Sequence, residues 1–331
     1  MTLRIGVIGA NYAVGTHLPV YAALPDVELV AVATAHEDTA RAVAERFGAR
    51  PHVGFEALCA DPDVDLVDVA TRPSRHREMA EAALAAGKDV LVEAPLAPSL
   101  GDAEAMAKAA AGRNAWVDMQ SRFWPGMQEF RALVESGWLG TVENVVATAF
   151  YPTFTRPEAV AGSGWCADAA NGASSLRVHG LHTADLIRWL FGDLEVTGAT
   201  VATRRPEWPG GVPATSADSV AFTARLPSGA VCSVHTSWVA RHGDGWRLVA
   251  HGSDGTLVAT AAGHTGHFPV RLQGARADEP QLRDLVVPGE EPATFAFAEL
   301  VRRIAAGGEG VPTFEDGIAT LRVAEAVEEG R

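Results

Sequence analysis

The first third of the chain alternates short apolar runs with longer stretches in which apolar residues recur at helical spacing. Runs at 3–8, 27–33, 64–70, 89–92 and 116–119 are rich in Val, Ile, Leu and Ala and bounded by turn formers, so they predict strands. Between them, 39–47 and 75–86 carry helical periodicity and stop at Gly48 and Gly87, because glycine accepts the left-handed turn that ends a helix. Ser99 followed by Asp102 predicts a capped helix reaching 111. Strand and helix alternating with short links predict an α/β fold, a doubly wound parallel sheet with crossover helices.

From about residue 141 the pattern changes to longer alternating runs at 142–150, 219–226, 230–239, 246–251 and 256–260. Turn formers such as Pro227-Ser228-Gly229 and Ser253-Asp254-Gly255 join them. A helix at 173–191 interrupts these strands, and helices at 294–306 and 315–328 close the chain. An α+β domain with a largely antiparallel open sheet is expected, which places the domains at 1–121 and 122–331. An open sheet with one uncovered face calls for a homo-oligomer, a dimer or tetramer.

Composition narrows the function. At 331 residues, 47% hydrophobic and 21% charged, the chain has the balance of a soluble globular protein. No apolar run approaches the ~20 residues that span a bilayer, and a strand pattern begins at once, so a cytoplasmic protein without a membrane partner is expected. A net charge of -14 argues against nucleic acid and for a small-molecule substrate. Cys59, Cys166 and Cys232 are too scattered for a disulfide framework or a zinc cluster, and no metal is expected. Lysine is nearly absent, with only Lys88 and Lys108.

After the first strand comes Gly9-Ala10-Asn11-Tyr12-Ala13-Val14-Gly15, leading into an amphipathic helix. Such a turn brings backbone N–H groups close to a pyrophosphate, which makes the first domain a candidate Rossmann dinucleotide-binding domain. Asn11 stands where the usual pattern has its second glycine, and asparagine tolerates left-handed geometry. Thr34 ends the second strand, where NAD-specific enzymes place an acid on the ribose. Thr34-Ala35-His36 has none until Glu37. With that repulsion removed, Thr34, His36 and Arg41 are candidates to contact a 2′-phosphate; NADP is preferred, with NAD as the alternative.

Lys88 to Leu96 reads K-D-V-L-V-E-A-P-L. Glu93-Ala94-Pro95 resembles the E-K-P signature of the Gfo/Idh/MocA oxidoreductases, whose lysine lies between nicotinamide and substrate; here that residue is alanine. Ala70-Thr71-Arg72-Pro73-Ser74-Arg75-His76 resembles the family's A-T-P-x-x-x-H loop near the cofactor ribose, and Met119-Gln120-Ser121-Arg122 the segment beside nicotinamide. His17-Leu18-Pro19 and His179-Gly180-Leu181-His182 are similar to the Gal80-like branch. The dehydrogenase D-x-G-x-H histidine is kept as His182, but Val178 replaces its aspartate.

The resemblance implies that Gly9, Ala10, Asn11, Tyr12, Gly15, Thr34, His36, Thr71, Arg72, Pro73, His76, Glu93, Ala94, Pro95 and Gln120 line the cofactor. His182 is the candidate acid/base, since imidazole titrates near working pH, and His179 shares its helical face. Arg122, Tyr151, Trp165 and Asp168 are candidates for the substrate side, although Asp168 also suits a cap. The expected activity is an NAD(P)-dependent oxidoreductase for a carbonyl/alcohol or imine/amine pair. The alternatives are a redox-neutral enzyme (elimination, cyclisation or isomerisation) that keeps its nicotinamide, and a Gal80-like sensor without turnover.

Overall fold

Contacts in a computed structural model, which describes residues 2–160 and 162–330, divide the chain into two units. One comprises Met1–Met119 with Phe297–Ile318, the other Gln120–Ala296 with Ala319–Arg331.

The first unit is built on strands β1 (Leu3–Ile8), β2 (Val27–Thr34), β3 (Arg50–Val53), β4 (Leu66–Val69), β5 (Asp89–Val92) and β6 (Ala115–Val117). Their order is β3-β2-β1-β4-β5-β6, all parallel. Every residue of β4 and three of four in β5 are buried, as expected for strands covered on both faces. Helices α1 (His17–Ala23), α2 (Glu37–Phe47), α3 (Phe55–Cys59), α4 (Pro73–Ala85) and α5 (Leu100–Ala109) make the crossovers. Pro73 sits in the first turn of α4, where its missing N–H costs nothing, and Ser99 Oγ accepts from Asp102 N at 3.2 Å to start α5. Strand order reverses between β1 and β4, and the carboxyl ends of such strands are where doubly wound sheets bind ligands.

The second unit carries β7 (Val142–Phe150), β8 (Glu195–Ala202), a small ribbon of β9 (Glu207–Trp208) and β10 (Val212–Pro213), then β11 (Ser219–Arg225), β12 (Val231–Ser237), β13 (Gly245–Gly252), β14 (Gly255–Ala261), β15 (Arg271–Arg276) and β16 (Arg283–Val286). Its sheet runs β16-β15-β14-β13-β7-β12-β11-β8 and is antiparallel except where β12 lies parallel to β7. Helices α6 (Pro125–Glu135), α7 (Pro157–Val160) and α8 (Leu181–Phe191) belong to this unit.

The expected helix at 173–191 is two pieces. A π-helical stretch, Ser175–Gly180, precedes α8, and Ser174 Oγ caps it by accepting from Arg177 N at 3.0 Å. Gly180 permits the close approach to β12, since a Cβ there would lie 2.9 Å from Thr236 Cγ2. Such wide turns concentrate at functional sites.

The closing helices are α9 (Phe295–Ala305) and α10 (Phe314–Glu328). The sequence assigns both to the second domain and ends the first at 121; by contact, residues 297–318 group with 1–119, while the rest of α10 stays with the second unit. The reason is apolar: Phe297, Leu300, Val301 and Ile304 are all buried. Val117 N also donates to Pro312 O at 2.9 Å, next to an isolated antiparallel bridge between Trp116 and Thr313. No helix among the described residues is long and apolar enough to cross a membrane.

Candidate functional site

At the carboxyl edge of the first sheet, Gly9 has φ 116° and a Cβ there would lie 2.2 Å from Ala70 O. Only glycine lets the ends of β1 and β4 meet this closely. The turn that follows is closed by Gly15 N donating to Tyr12 O at 3.1 Å and Thr16 Oγ1 donating to the same oxygen at 2.8 Å. Asn11, Tyr12 and Gly15 face solvent, and Ala10 is half-buried. Thr34 Oγ1 donates to His36 O at 2.7 Å, with His36 exposed, while Arg41 pairs with Glu37 at 2.5 Å on the surface of α2.

Beyond β4, Arg72 is exposed and Thr71 half-buried. His76 is wholly buried, its Nδ1 3.1 Å from Leu96 O and its Nε2 3.1 Å from Thr71 O. It therefore ties the loop after β4 to the loop after β5, and burial pushes its pKa down. Glu93 and Ala94 are half-buried, Pro95 is buried, and the Ala94-Pro95 bond is cis. Neither lysine substitutes for Ala94: Lys88 Nζ donates to Asp61 O and Val64 O, both at 2.7 Å, and Lys108 is exposed on α5.

His17, quoted above only as part of a motif, anchors a buried ionic group. Its Nδ1 lies 2.8 Å from Asp68 Oδ2, and its Nε2 lies 2.8 Å from Glu93 Oε1 and 3.6 Å from Asp118 Oδ2. Tyr21 Oη donates to Asp68 Oδ2 at 2.9 Å, and the Phe297 ring stacks on the imidazole at 3.9 Å. Burial opposes charge on His17, but Asp68, Asp118 and Glu93 outweigh it, and its pKa rises well above the ordinary histidine value. Burial, reinforced by Asp118 and opposed by His17, lifts the Glu93 carboxyl to about 7. One donor atom each from His17, Glu93 and Asp118 lie within 4.8 Å of one another, a spacing compatible with a cation. The imidazolium proton supplies positive charge at that point. Asp68 and Asp118 escape sequence reasoning because each is a single acid inside or beside an apolar strand; that oddity was their one signal.

The second unit gathers a different set. Tyr151, just after β7, lies edge-on to His179 at 5.2 Å and to His264 at 6.0 Å between ring centroids. His264 lies 4.7 Å from both His179 and His182, with His267 at 6.0 Å from it. Trp238 Nε1 donates to His179 Nδ1 at 2.7 Å. Burial first, then the His182 and His267 rings, depress the His179 pKa to about 3; burial and the same kind of neighbours hold His264 well below its ordinary value. Burial alone raises the Tyr151 pKa. His264 and His267 had no motif to mark them beyond two histidines three residues apart in a post-strand loop.

The remaining candidates lie as follows. Arg122 is buried and forks onto Asp185 of α8, Nε to Oδ2 at 2.8 Å and a terminal nitrogen to Oδ1 at 2.5 Å. Gln120 is buried near Gly266. Trp165 packs against the aromatic cluster of Phe154, Trp208 and Trp238. Asp168 is exposed and acts as a cap, its Oδ1 accepting from Ala170 N at 3.0 Å.

Residues 3–120 match the model for the oxidoreductase family with an NAD-binding Rossmann fold, and 127–258 match the GFO/IDH/MocA C-terminal domain. A dTDP-3,4-didehydro-2,6-dideoxy-alpha-D-glucose 3-reductase of Streptomyces violaceoruber is 33% identical over 98% of this chain and 94% of its own. The chain belongs to the Gfo/Idh/MocA family. A levoglucosan dehydrogenase solved with NADH and levoglucosan superposes with TM-score 0.87 at 24% identity, covering 99% of this chain and 96% of that one. A super-repressor mutant of Gal80p from Saccharomyces cerevisiae superposes with TM-score 0.90 at 20% identity, covering 99% and 95%; both likenesses speak for the fold alone. Within this Gfo/Idh/MocA chain, the E-K-P position reads Glu93-Ala94-Pro95 and α8 keeps His182.

Proposed function

We propose that the protein is an NAD(P)-dependent oxidoreductase acting on a carbonyl/alcohol pair of a sugar-like small molecule, with His182 as the group that moves the proton. The observation that carries this reading is the histidine and tyrosine cluster of the second unit, in a chain whose first unit matches an NAD-binding Rossmann model. The name of the Streptomyces violaceoruber relative, a deoxysugar reductase, supports the substrate class.

The Gly9 turn fits a dinucleotide, because a side chain at Gly9 would fill the space between the ends of β1 and β4. Bound nicotinamide would give or take a hydride. The chain's own task is the proton, and His182 suits it in either direction. His182→Ala is expected to lower kcat by ~100-fold or more while the cofactor Kd stays unchanged; unchanged kcat would end the assignment.

Thr34 and His36 offer no negative charge at the end of β2, and Glu37 is paired with Arg41. We therefore favour NADP over NAD, to be checked by fluorescence titration with NADPH and NADH; tighter NADH binding would reverse the preference. The absence of a lysine at Ala94 and of an aspartate at Val178 favours a second reading, a redox-neutral enzyme or a sensor. Cofactor bound without any absorbance change at the reduced-nicotinamide band, across a substrate panel, would support it.

The uncovered face of the second sheet exposes Val146 and Val231, and a second copy of the chain is its proposed cover, testable by light scattering. Three buried free cysteines fit a reducing compartment, the cytoplasm.

A further inference from the structure

The imidazoles of the second unit are arranged as fixed donors. Indole nitrogen can only donate, so the 2.7 Å bond from Trp238 leaves His179 Nδ1 as an acceptor. A neutral His179 ring must then carry its proton on Nε2. Gly266 N donates to His264 Nδ1 at 3.3 Å, which places the His264 proton on Nε2 as well. His264 Nε2 and Tyr151 Oη are both buried, and among the described residues neither has a hydrogen-bond partner. Buried polar atoms are satisfied in nearly all native structures, so two orphaned donors from rings 6.0 Å apart call for an acceptor that the chain does not supply.

We propose that His264 Nε2–H, with Tyr151 Oη–H and His179 Nε2–H, forms a donor set for one uncharged substrate oxygen, filling the electrophilic role left open by Ala94. The assignment rests on the oxidoreductase reading above. In the reducing direction, hydride from a reduced nicotinamide adds to the carbonyl carbon and the C=O π pair moves onto oxygen. The donor set stabilises that developing negative charge without giving up its protons, and His182 delivers the one proton that completes the alcohol. Hydrogen-bond donors preorganised around a developing oxyanion act in this way. The groups facing His264 are His179, His182, His267 and Tyr151. The pKa depression of His264 and His179 by burial and by neighbouring imidazoles keeps both rings neutral, as a donor of this kind requires.

Two measurements on the full chain test the idea. The first is 15N NMR of histidine-labelled protein, with His264→Gln and His179→Gln assigning the signals. Expected are Nε2–H tautomers at both positions, unchanged from pH 8 to pH 5; a His264 ring that titrates near 6.5, or carries its proton on Nδ1, overturns the proposal. The second is kinetic. His264→Leu should lower kcat by ~100-fold with little change in cofactor Kd, and His264→Gln, which keeps an N–H donor, should recover part of that loss. Full kcat in a folded His264→Leu protein refutes the donor role. Should the wild-type chain turn over no substrate, the oxidoreductase reading fails instead. The tautomers, and the response of the His264 Nε2–H signal to added fructose or glucose, then decide the donor set: a shift supports it and an unmoved signal refutes it.

Discussion

Replacing Glu93 by Gln should change how stability depends on pH. Burial lifts the Glu93 carboxyl from its ordinary 4.5 to about 7, with Asp118 adding to the rise and His17 opposing it. In the unfolded chain the group loses its proton near 4.5, whereas in the fold it keeps it to about 7. Between those values the folded state binds more protons, so stability falls as pH rises. Each pH unit across the window costs about 1.4 kcal/mol, giving a total of roughly 3 kcal/mol lost by pH 8. His17 acts in the same sense: its raised pKa contributes stability that is fully present below the unfolded histidine value of 6.5 and is lost as pH rises through the folded value. Glu93→Gln keeps the shape, removes the first component and weakens the second, because Glu93 is one of the acids that raise the His17 pKa. Urea unfolding of both proteins from pH 4.5 to 9 measures it. The wild type should lose stability steeply between pH 5 and 7 where the variant is nearly flat, and both should decline above that range. Parallel curves between pH 5 and 7 would falsify the buried-acid argument.

Asp185→Leu leaves the buried Arg122 guanidinium without its bidentate partner and should cost about 3–5 kcal/mol in urea unfolding; adding Arg122→Met should recover most of it. If that double variant folds but loses substrate affinity, Arg122 touches substrate as well as Asp185. Gly9→Ala places a methyl 2.2 Å from Ala70 O at a φ of 116°, and should abolish detectable NADPH binding by calorimetry or prevent folding. Normal binding by a folded Gly9→Ala protein would show that the turn is not the cofactor seat.

The central strands were legible because burial on two faces forces mostly apolar runs, as in L-V-D-V of β4, broken only by Asp68, and D-V-L-V of β5, apolar after Asp89. The strands that escaped lie at or beside sheet edges. β3 is one edge of the first sheet, β16 and β8 are the two edges of the second, with β15 next to one of them, and β9 and β10 form a two-stranded ribbon that is all edge. Edge strands carry charge, proline and glycine to discourage pairing with other chains, and the sequences comply: R-P-H-V in β3, R-D-L-V in β16, and Gly198 within β8. The apolar pattern is weakest where the sheet ends, so periodicity underestimates sheet width. The return of 297–318 to the first unit was hidden for another reason. Amphipathic spacing shows that a helix has a buried face, not which core receives it.

The candidate site was legible wherever a local motif carried it and opaque wherever the fold assembled it. His17, His179 and His182 stand in recognisable strings, yet their chemistry depends on partners distant in sequence. Asp68, Asp118 and Glu93 surround one buried imidazole and keep it charged, whereas burial, reinforced by neighbouring imidazoles, keeps His179 and His264 neutral. The same side chain thus becomes a cation in one unit and stays uncharged in the other, because carboxylates outweigh burial in the first and only imidazoles add to it in the second. That contrast changes the meaning of Ala94. A lysine at that position would bring a mobile, titratable cation to the reaction; under the donor set proposed above, the second unit would instead hold donors whose protons stay put and leave proton movement to His182. On that proposal, the lost lysine removes the usual acid without removing the means to stabilise a developing alkoxide.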